Sequence, residues 1–300
     1  MNRHILAACL CLLAALPGLA EAQTYRLVWA DEFRPENQLT DNWTAIVTPR
    51  PANNELQYYT DSPSNVHLED GCLVLTARRE QKGQKSFTSG RVDSDKKVTF
   101  KHGVIRSRFW MPRTEGGLWP AFWMMGDDRS QVGWPHCGEL DIMEAGHSNG
   151  FGGNEEKHFS AAVHWGADSR DHKYFSKAGV NPYSVQDGYH IFTCVWNENE
   201  IRCYLDDCRE PYFTGDLSAG TDPAPYVHKP FFILYNIAVG GNYPGILDPD
   251  RVTALPDGQT VREMRIDWVR VYQLEGQENV RAVRNDKHLV PNAEQTYVAP

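Results

Sequence analysis

The amino-acid sequence predicts an all-β fold, a β-jelly-roll sandwich of two antiparallel sheets. Short strand-like runs recur along the chain with turn residues between them, and no long segment combines helical periodicity with helix caps. Many strands without intervening helices favour a sandwich over an α/β fold. The 300 residues also include 9 Trp, 13 Tyr and 12 Phe beside 24 Gly and 18 Pro, a composition that excludes a disordered or coiled-coil protein.

The strands can be assigned in chain order from their turn signals. Asp70-Gly71 is a hairpin signal between Asn65–Leu68 and Cys72–Ala77. Alternation of Met264, Ile266 and Trp268 with charged residues is typical of a half-buried strand. The other predicted strands are Val104–Met111, Ala161–Trp165, Tyr189–Trp196, Ile201–Leu205, Phe231–Val239 and Met264–Tyr272.

The chain ends carry different patterns. Residues 1–22 predict a signal peptide, because the apolar run Ile5–Ala20 is interrupted by Pro17 and Ala20-Glu21-Ala22 fits a small-x-small cleavage site. The run is too short to span a membrane. We therefore expect a secreted chain from Gln23; a lipoprotein anchor at Cys9 is less favoured, since little apolar sequence precedes it. Residues 23–273 form one predicted β domain, and the polar residues 274–300 form a C-terminal tail or edge segment.

Net charge limits the partners that the protein can have, and the cysteine positions limit its possible disulfides. The formal net charge of −9, from 39 acidic and 30 basic residues, argues against nucleic acid or an anionic membrane as the main partner. A predicted hairpin turning at 197–200 places Cys194 opposite Cys203. That pair is either a cross-strand disulfide or two small buried hydrophobes. We expect a monomer.

One predicted strand carries three acids. Side chains alternate along a strand, so Glu139 and Asp141 share one face and Leu140 the other. Glu144 joins the acidic face if a β-bulge around Ile142-Met143 inserts one residue. Like charges this close raise one another's pKa, which suits an acid–base pair. A solvated face or a set of calcium ligands would explain the acids equally well.

Tryptophans flank this strand. Trp119 and Trp123 lie in one upstream block, and Trp134 lies five residues before the first acid. A sugar ring has apolar C–H faces that stack on indoles, although core packing is the usual role of a single Trp. Three indoles beside paired carboxyls favour a carbohydrate cleft. We assign Trp165, next to His164, to the same cleft.

Motifs over nearly all of the predicted mature chain resemble glycoside hydrolase family 16. Glu139-Leu-Asp-Ile-Met-Glu144 matches the bulged ExDxxE signature of that family. The whole set looks like its laminarinase-type branch of endo-β-1,3(4)-glucanases. The further matches are Leu27–Phe33, Asn53–Thr60, Thr88–Arg91, Trp119–Trp123, Ala238–Asn242 and Ile266–Gln273. The resemblance implies a substrate cleft on the concave face of the sandwich.

The resemblance also implies site roles. Glu139 is the expected nucleophile of retaining double-displacement hydrolysis, Glu144 the general acid/base, and Asp141 the group that hydrogen-bonds the nucleophile and tunes both pKa values. Tyr243 stands where relatives commonly have Trp. The expected substrate-binding residues are Asn54, Arg91, Trp119, Trp123, Trp134, His164 and Asn242.

Metal binding is expected only in a structural role. Glu32, the carbonyl of Gly71, and Asp267 match positions that bind calcium in relatives, and hard oxygen ligands suit that ion. Asp267 in a surface ion pair is the alternative. No cofactor is expected for catalysis, because glycosidic hydrolysis of this type uses two carboxyls.

The function indicated is a secreted retaining endo-β-glucanase. Its expected substrate is β-1,3-glucan of the laminarin type, mixed-linkage β-1,3-1,4-glucan, or both. Agar or carrageenan specificity, transglycosylation, and a non-catalytic β-glucan-binding protein are the alternatives. The bulged spacing that includes Met143 disfavours the transglycosylase, and the presence of both Glu139 and Glu144 disfavours the binding protein.

Overall fold

The computed structural model describes residues 23–150, 152–181 and 183–300, so the predicted signal peptide lies outside the described residues. Strands dominate the chain. In chain order they are β1 (Thr24–Asp31), β2 (Thr44–Ala45), β3 (Gln57–Tyr59), β4 (Val66–Glu69), β5 (Cys72–Arg78), β6 (Phe87–Ser89), β7 (Arg91–Asp93), β8 (Val98–Phe100), β9 (Gly103–Trp110), β10 (Leu118–Gly126), β11 (Glu139–Ala145), β12 (His158–Trp165), β13 (Lys173–Val180), β14 (Tyr189–Trp196), β15 (Glu200–Leu205), β16 (Phe213–Asp216), β17 (Phe231–Val239), β18 (Val261–Gln273), β19 (Arg281–Ala282) and β20 (Thr296–Val298).

Helices contribute little to the architecture. Within residues 23–150, 152–181 and 183–300, three α-helices of four residues each and four single-turn 3-10 helices connect strands. In the part of the chain that the structure describes, no helix combines the length and the apolar character needed to cross a membrane. The helices are α1 (Leu39–Asn42), α2 (Arg129–Val132) and α3 (Ala224–Val227), and the 3-10 helices are Ser148–Gly150, Pro249–Arg251, Lys287–Leu289 and Asn292–Glu294.

Two large sheets make up the predicted sandwich. One sheet of 11 strands has the order β16-β15-β14-β9-β18-β5-β6-β3, with β1, β4 and β20 attached. The other, of 9 strands, has the order β13-β12-β11-β10-β17-β7-β2, with β8 and β19 attached. Among the described strands, β3 and β6 pair in parallel and the other pairs are antiparallel. The all-β jelly-roll prediction is confirmed.

Aromatic rings from both sheets meet in the core. Phe109 of β9 stacks on Phe192 of β14 with ring centroids 4.9 Å apart, and its edge meets Phe122 of β10 at 5.9 Å. Tyr235 of β17 stacks on Phe122 at 4.8 Å. All four rings are fully buried. Since burying one such side chain is worth about 1.5–3 kcal/mol, this contact contributes strongly to holding the two sheets together.

Local sequence signals account for several strand boundaries. The predicted Asp70-Gly71 hairpin joins β4 to β5, with φ of 50° and 73° at the two turn residues. Positive φ at both positions is the geometry of a two-residue hairpin turn. Cys194 lies opposite Cys203 as predicted, and both are buried free thiols.

The assignment of Trp165 to the cleft is wrong. Its side chain packs in the core against Phe175, with ring centroids 5.6 Å apart, while the neighbouring His164 points to the opposite face of β12. Strand alternation explains the difference, because adjacent residues in a strand cannot share a face. Trp29, Trp43 and Trp196 are buried in the core, as assigned.

Residues 274–300 pack against both sheets. β19 pairs with β8, and β20 pairs with β1. Between these strands the Arg284 guanidinium reaches the fully buried carboxylate of Asp31 at 2.7 Å and that of Asp41 at 3.0 Å. The C-terminal segment therefore supplies the cation that neutralises a buried acid of the first strand.

Loss of this cation should destabilise the protein. We expect Arg284→Ala to lower the free energy of unfolding by about 3 kcal/mol, because it leaves Asp31 buried without a counter-ion. Chemical denaturation measures the change. Arg281→Ala, an exposed position on the same segment, is the control and should shift stability by less than about 0.5 kcal/mol. Equal stability of the two variants would contradict this account of the segment.

Candidate active site

A β-bulge in β11 places the three acids. Against β12, Asp141 lies opposite Ala162 and Glu144 opposite Ser160, so two residues of β11 oppose the single residue between those partners. The same extra residue shifts the register against β10. Leu140 and Ile142 are fully buried in the core. The predicted bulge is confirmed, and it turns Glu144 to the outer, concave face that Glu139 and Asp141 occupy.

Each acid has a partner at contact distance. The indole N–H of Trp134 donates to Glu139 Oε2 at 3.0 Å, and the indole N–H of Trp119 donates to Glu144 Oε1 at 3.0 Å. His164 Nε2 lies 3.1 Å from Asp141 Oδ2. Two of the predicted stacking tryptophans thus hold the carboxyl groups directly.

The surroundings favour the neutral forms of these acids. Burial, together with the like charge of Asp141, raises the pKa of Glu139 to about 8 and that of Glu144 to about 8. Burial alone raises the pKa of Asp141 to about 8. His164 and the Trp119 indole act in the opposite direction on Glu144. Carboxyls that exchange protons near neutral pH are suited to acid–base chemistry.

The acids line a cavity of about 270 Å³ in the concave sheet. Its wall includes Trp119, Trp123, Trp134 and Arg91, all of which the sequence predicts as substrate-binding residues. The guanidinium of Arg91 lies over the Trp123 ring, 4.8 Å from its centroid. Trp134 is 39% exposed, so its ring face is accessible to a ligand.

Asn54 and Asn242 lie beside the cavity wall. Their side chains are hydrogen-bonded, Asn54 Nδ2 to Asn242 Oδ1 at 2.9 Å, and both residues are exposed. The backbone N–H of Asn242 donates to the carbonyl of Asn53, which does line the cavity. The two asparagines therefore join the loop before β3 to the loop after β17.

Sequence reasoning did not single out Glu55 and Asn236, two polar residues of the cavity wall. Glu55 is buried and accepts hydrogen bonds from Gln57 Nε2 at 2.6 Å and from the Tyr59 hydroxyl at 3.0 Å. Burial raises its pKa. Asn236 Oδ1 accepts from the Trp123 indole at 2.8 Å. A polar Asn within the apolar run of β17 was a signal that could have identified it.

Tyr243, which stands where relatives commonly have Trp, packs its ring against the site. Its ring stacks on Trp119 with centroids 4.8 Å apart and planes 11° from parallel. Its hydroxyl donates to the backbone carbonyl of Glu144 at 3.0 Å and contacts the Ser160 hydroxyl at 2.7 Å. The smaller ring thus supports the indole that holds Glu144.

The residues predicted to bind calcium are paired with cations. Both carboxylate oxygens of Glu32 accept from Arg270, at 2.8 and 3.0 Å, and Asp267 pairs with Arg108. Strand register does bring the Gly71 turn and β1 to either side of β18. Arranged in this way, the donor set does not fit Ca²⁺, which would have to displace two guanidinium groups. The calcium site stays a prediction, and no step depends on it.

A different trio offers metal-ligand geometry. Among the described residues, Glu139, Asp141 and His164 form a group whose ligand atoms all lie within 4.8 Å of one another. A divalent cation at this place would contact the proposed nucleophile, so it would compete with substrate.

A β-sandwich with paired buried carboxyls and indoles in a concave cleft defines the class of glycoside hydrolases that act on polysaccharides. The chain belongs to glycoside hydrolase family 16, since the model described as "Glycosyl hydrolases family 16" matches residues 53–270.

Three known proteins illustrate the similarity. The chain is 33% identical over 261 residues to a glucan endo-1,3-beta-glucosidase from Cryptopygus antarcticus, covering 81% of this chain and 90% of that protein. It is 32% identical over 252 residues to the clotting factor G alpha subunit of Tachypleus tridentatus, covering 83% of this chain and only 34% of that protein. The chain thus spans about a third of the length of that relative.

A solved structure shows the same fold. The family 16 protein of the Bacteroides ovatus mixed linkage glucan PUL, in complex with a G4G4G3G product, is similar with a TM-score of 0.72 and 39% identity. The match covers 80% of this chain and 98% of that one.

Neutralising one of the acids should stabilise the protein at high pH. A folded-state pKa above the ordinary value means that ionisation opposes folding, so this contribution to stability is lost as pH rises from about 4.5 to 8. Glu139→Gln cannot ionise. We expect its Tm to match the wild type near pH 4.5 and to exceed it by about 2–4 °C at pH 8.

Thermal denaturation at a series of pH values tests this expectation. Glu198→Gln, at an exposed hairpin position, is the control and should follow the wild type throughout. A Glu139→Gln protein that is less stable than the wild type at pH 8 would contradict the assignment of an electrostatic cost to this site.

Proposed function

We propose that the protein is a secreted, retaining endo-β-glucanase in which Glu139 is the nucleophile and Glu144 the general acid/base. One observation carries the proposal: a bulged strand presents both carboxyls on one face of an indole-lined cavity, and each accepts a hydrogen bond from a different indole. Family membership and the glucan-cleaving relatives support the same chemistry.

In the first half-reaction, ionised Glu139 attacks the anomeric carbon. A bond forms between a Glu139 carboxylate oxygen and that carbon while the bond to the leaving oxygen breaks. Glu144, held neutral by its buried position, gives its proton to the leaving oxygen. The Trp134 indole N–H donates a hydrogen bond to the attacking carboxylate and orients it.

In the second half-reaction, water replaces the leaving group. Glu144, now ionised, removes a proton from the water as the oxygen attacks the anomeric carbon. The bond to Glu139 breaks, and both residues regain their starting protonation states. Asp141 stays between them, and its charge influences the pKa of each glutamate.

The proposed substrate is a neutral β-glucan, either β-1,3-linked or mixed-linkage. The cavity wall holds the carboxyls of Glu55, Glu139, Asp141 and Glu144 against two cations, Arg91 and Arg129. This balance disfavours a sulfated galactan, because few cations on the wall are available to pair with its sulfate groups. The glucan-directed names of the Cryptopygus and Bacteroides relatives favour the same substrate class.

The catalytic assignment predicts different defects for the two glutamates. Glu139→Ser should abolish hydrolysis while oligosaccharide binding is retained, because the stacking residues are untouched. Glu144→Ala should lose about 10²–10⁴-fold on polysaccharide but far less on aryl glycosides whose leaving groups need no protonation. Kinetics on both substrate types, with calorimetric binding, measure these effects. Unchanged hydrolysis by Glu139→Ser would refute the assignment.

Substrate class is tested by product analysis on a panel. We expect cleavage of laminarin, lichenan or barley β-glucan to internal oligosaccharides, and no release of products from agarose or carrageenan. The wild type and Glu139→Ser are compared on every polysaccharide, so that contaminating activity is recognised. Activity confined to a sulfated galactan would overturn the proposed substrate.

Export is proposed from residues 1–22. The first strand of the sandwich begins at Thr24, so cleavage after Ala22 leaves the fold intact. N-terminal sequencing of the exported protein should find Gln23 first. A chain that starts at a lipidated Cys9 would show membrane anchoring instead.

A further inference from the structure

We propose that His172 is a positioning residue that fixes the tautomer of His164, so that His164 carries its proton on Nε2, the nitrogen nearest Asp141. The inference rests on the proposed function of the acidic strand. His172 lies in none of the motifs that carry the family resemblance, and it does not line the cavity.

The two histidines form an edge-to-edge pair. His164 of β12 lies opposite Glu139 in the strand register, and His172 immediately precedes β13. His164 Nδ1 lies 2.9 Å from His172 Nε2. Their ring planes differ by 14° with centroids 5.1 Å apart, which is the separation expected when two imidazoles share a plane and a hydrogen bond.

The chain of contacts determines which nitrogen carries a proton. A neutral imidazole has one N–H and one acceptor nitrogen. His164 Nε2 lies 3.1 Å from Asp141 Oδ2, and when Asp141 is ionised an acceptor nitrogen there would meet a carboxylate oxygen with like polarity. The Nε2 proton therefore requires Nδ1 to accept, and His172 Nε2–H is the donor in contact with it.

Neighbouring rings hold His172 in this orientation. Tyr174 lies nearly parallel to both imidazoles, with its centroid 5.3 Å from His164 and 5.6 Å from His172. Trp134 packs against His172 at 4.6 Å, and the same indole donates to Glu139. His172 is thus fixed between an exposed aromatic ring of β13 and the indole that contacts the proposed nucleophile.

The consequence for catalysis is indirect. Asp141 is only 4% exposed, so its charge depends on the few polar groups that reach it. Without a donor at Nδ1, His164 can adopt the other tautomer, which places an acceptor nitrogen beside Asp141. Because His172 makes no wall of the cavity, its loss should lower kcat about tenfold, the size of one hydrogen bond, and change KM less than about twofold.

Three variants test the proposal. His172→Ala removes the donor, His172→Gln retains a side-chain N–H at a similar distance, and His136→Ala is the control. His136 is an exposed histidine whose ring contacts the Ala167 carbonyl. We expect kcat to fall in His172→Ala, to recover most of its value in His172→Gln, and to be unchanged in His136→Ala.

Imidazole ¹⁵N shifts of His164, read in ¹H–¹⁵N spectra and assigned with His164→Asn, report the tautomer directly. The wild type and His172→Gln should carry the proton on Nε2, and His172→Ala should show a tautomer mixture. An Nδ1 proton on His164 in the wild type, or an unchanged tautomer in His172→Ala, overturns the proposal. The spectra do not depend on glucan hydrolysis, so a wild type inactive on every glucan would refute the proposed function separately.

Discussion

One extra residue in β11 determines the chemistry of this protein. In a regular strand Glu144 would point into the core, where Leu140 and Ile142 are fully buried. An unpaired carboxylate in that place costs several kcal/mol. The bulge reverses the face without ending the strand, since β11 stays paired with both β10 and β12.

The site opposes folding, and the rest of the sandwich compensates. Burial raises the pKa of three neighbouring carboxyls, so each ionised form is destabilising in the folded state. Rings that cross between the sheets and the buried ion pair of Arg284 with Asp31 act in the other direction. A carboxyl whose pKa stayed at its ordinary value would oppose folding less, but it would be a poorer proton donor near neutral pH. A conflict between stability and function is therefore expected at this site.

Local patterns predicted the fold and the centre of the site well. Alternation located Glu139 and Asp141, and the spacing to Glu144 required the bulge that the structure contains. Trp165 was misassigned because closeness in sequence was taken for closeness in space, although a strand separates neighbours onto two faces.

Long-range contacts were not predictable in the same way. His172 meets His164 only because β12 and β13 form a hairpin that pairs them across the sheet edge. Glu55 belongs to the cavity because a loop before β3 folds over the concave sheet. No local period encodes such contacts, which arise from tertiary packing.

The surroundings of the two glutamates differ in a way that agrees with their proposed roles. Around Glu144, the Trp119 indole is 9% exposed and is covered by the stacked Tyr243 ring. An apolar enclosure of this kind favours a neutral acid that holds its proton until the leaving oxygen arrives. Around Glu139, the Trp134 indole is 39% exposed and packs against the His172 imidazole. His164 and Arg91 favour the ionised form of Glu139, in opposition to the larger effects of burial and of the Asp141 charge. The more open enclosure of Glu139 and the more closed one of Glu144 support the proposal that Glu139 attacks and Glu144 donates the proton.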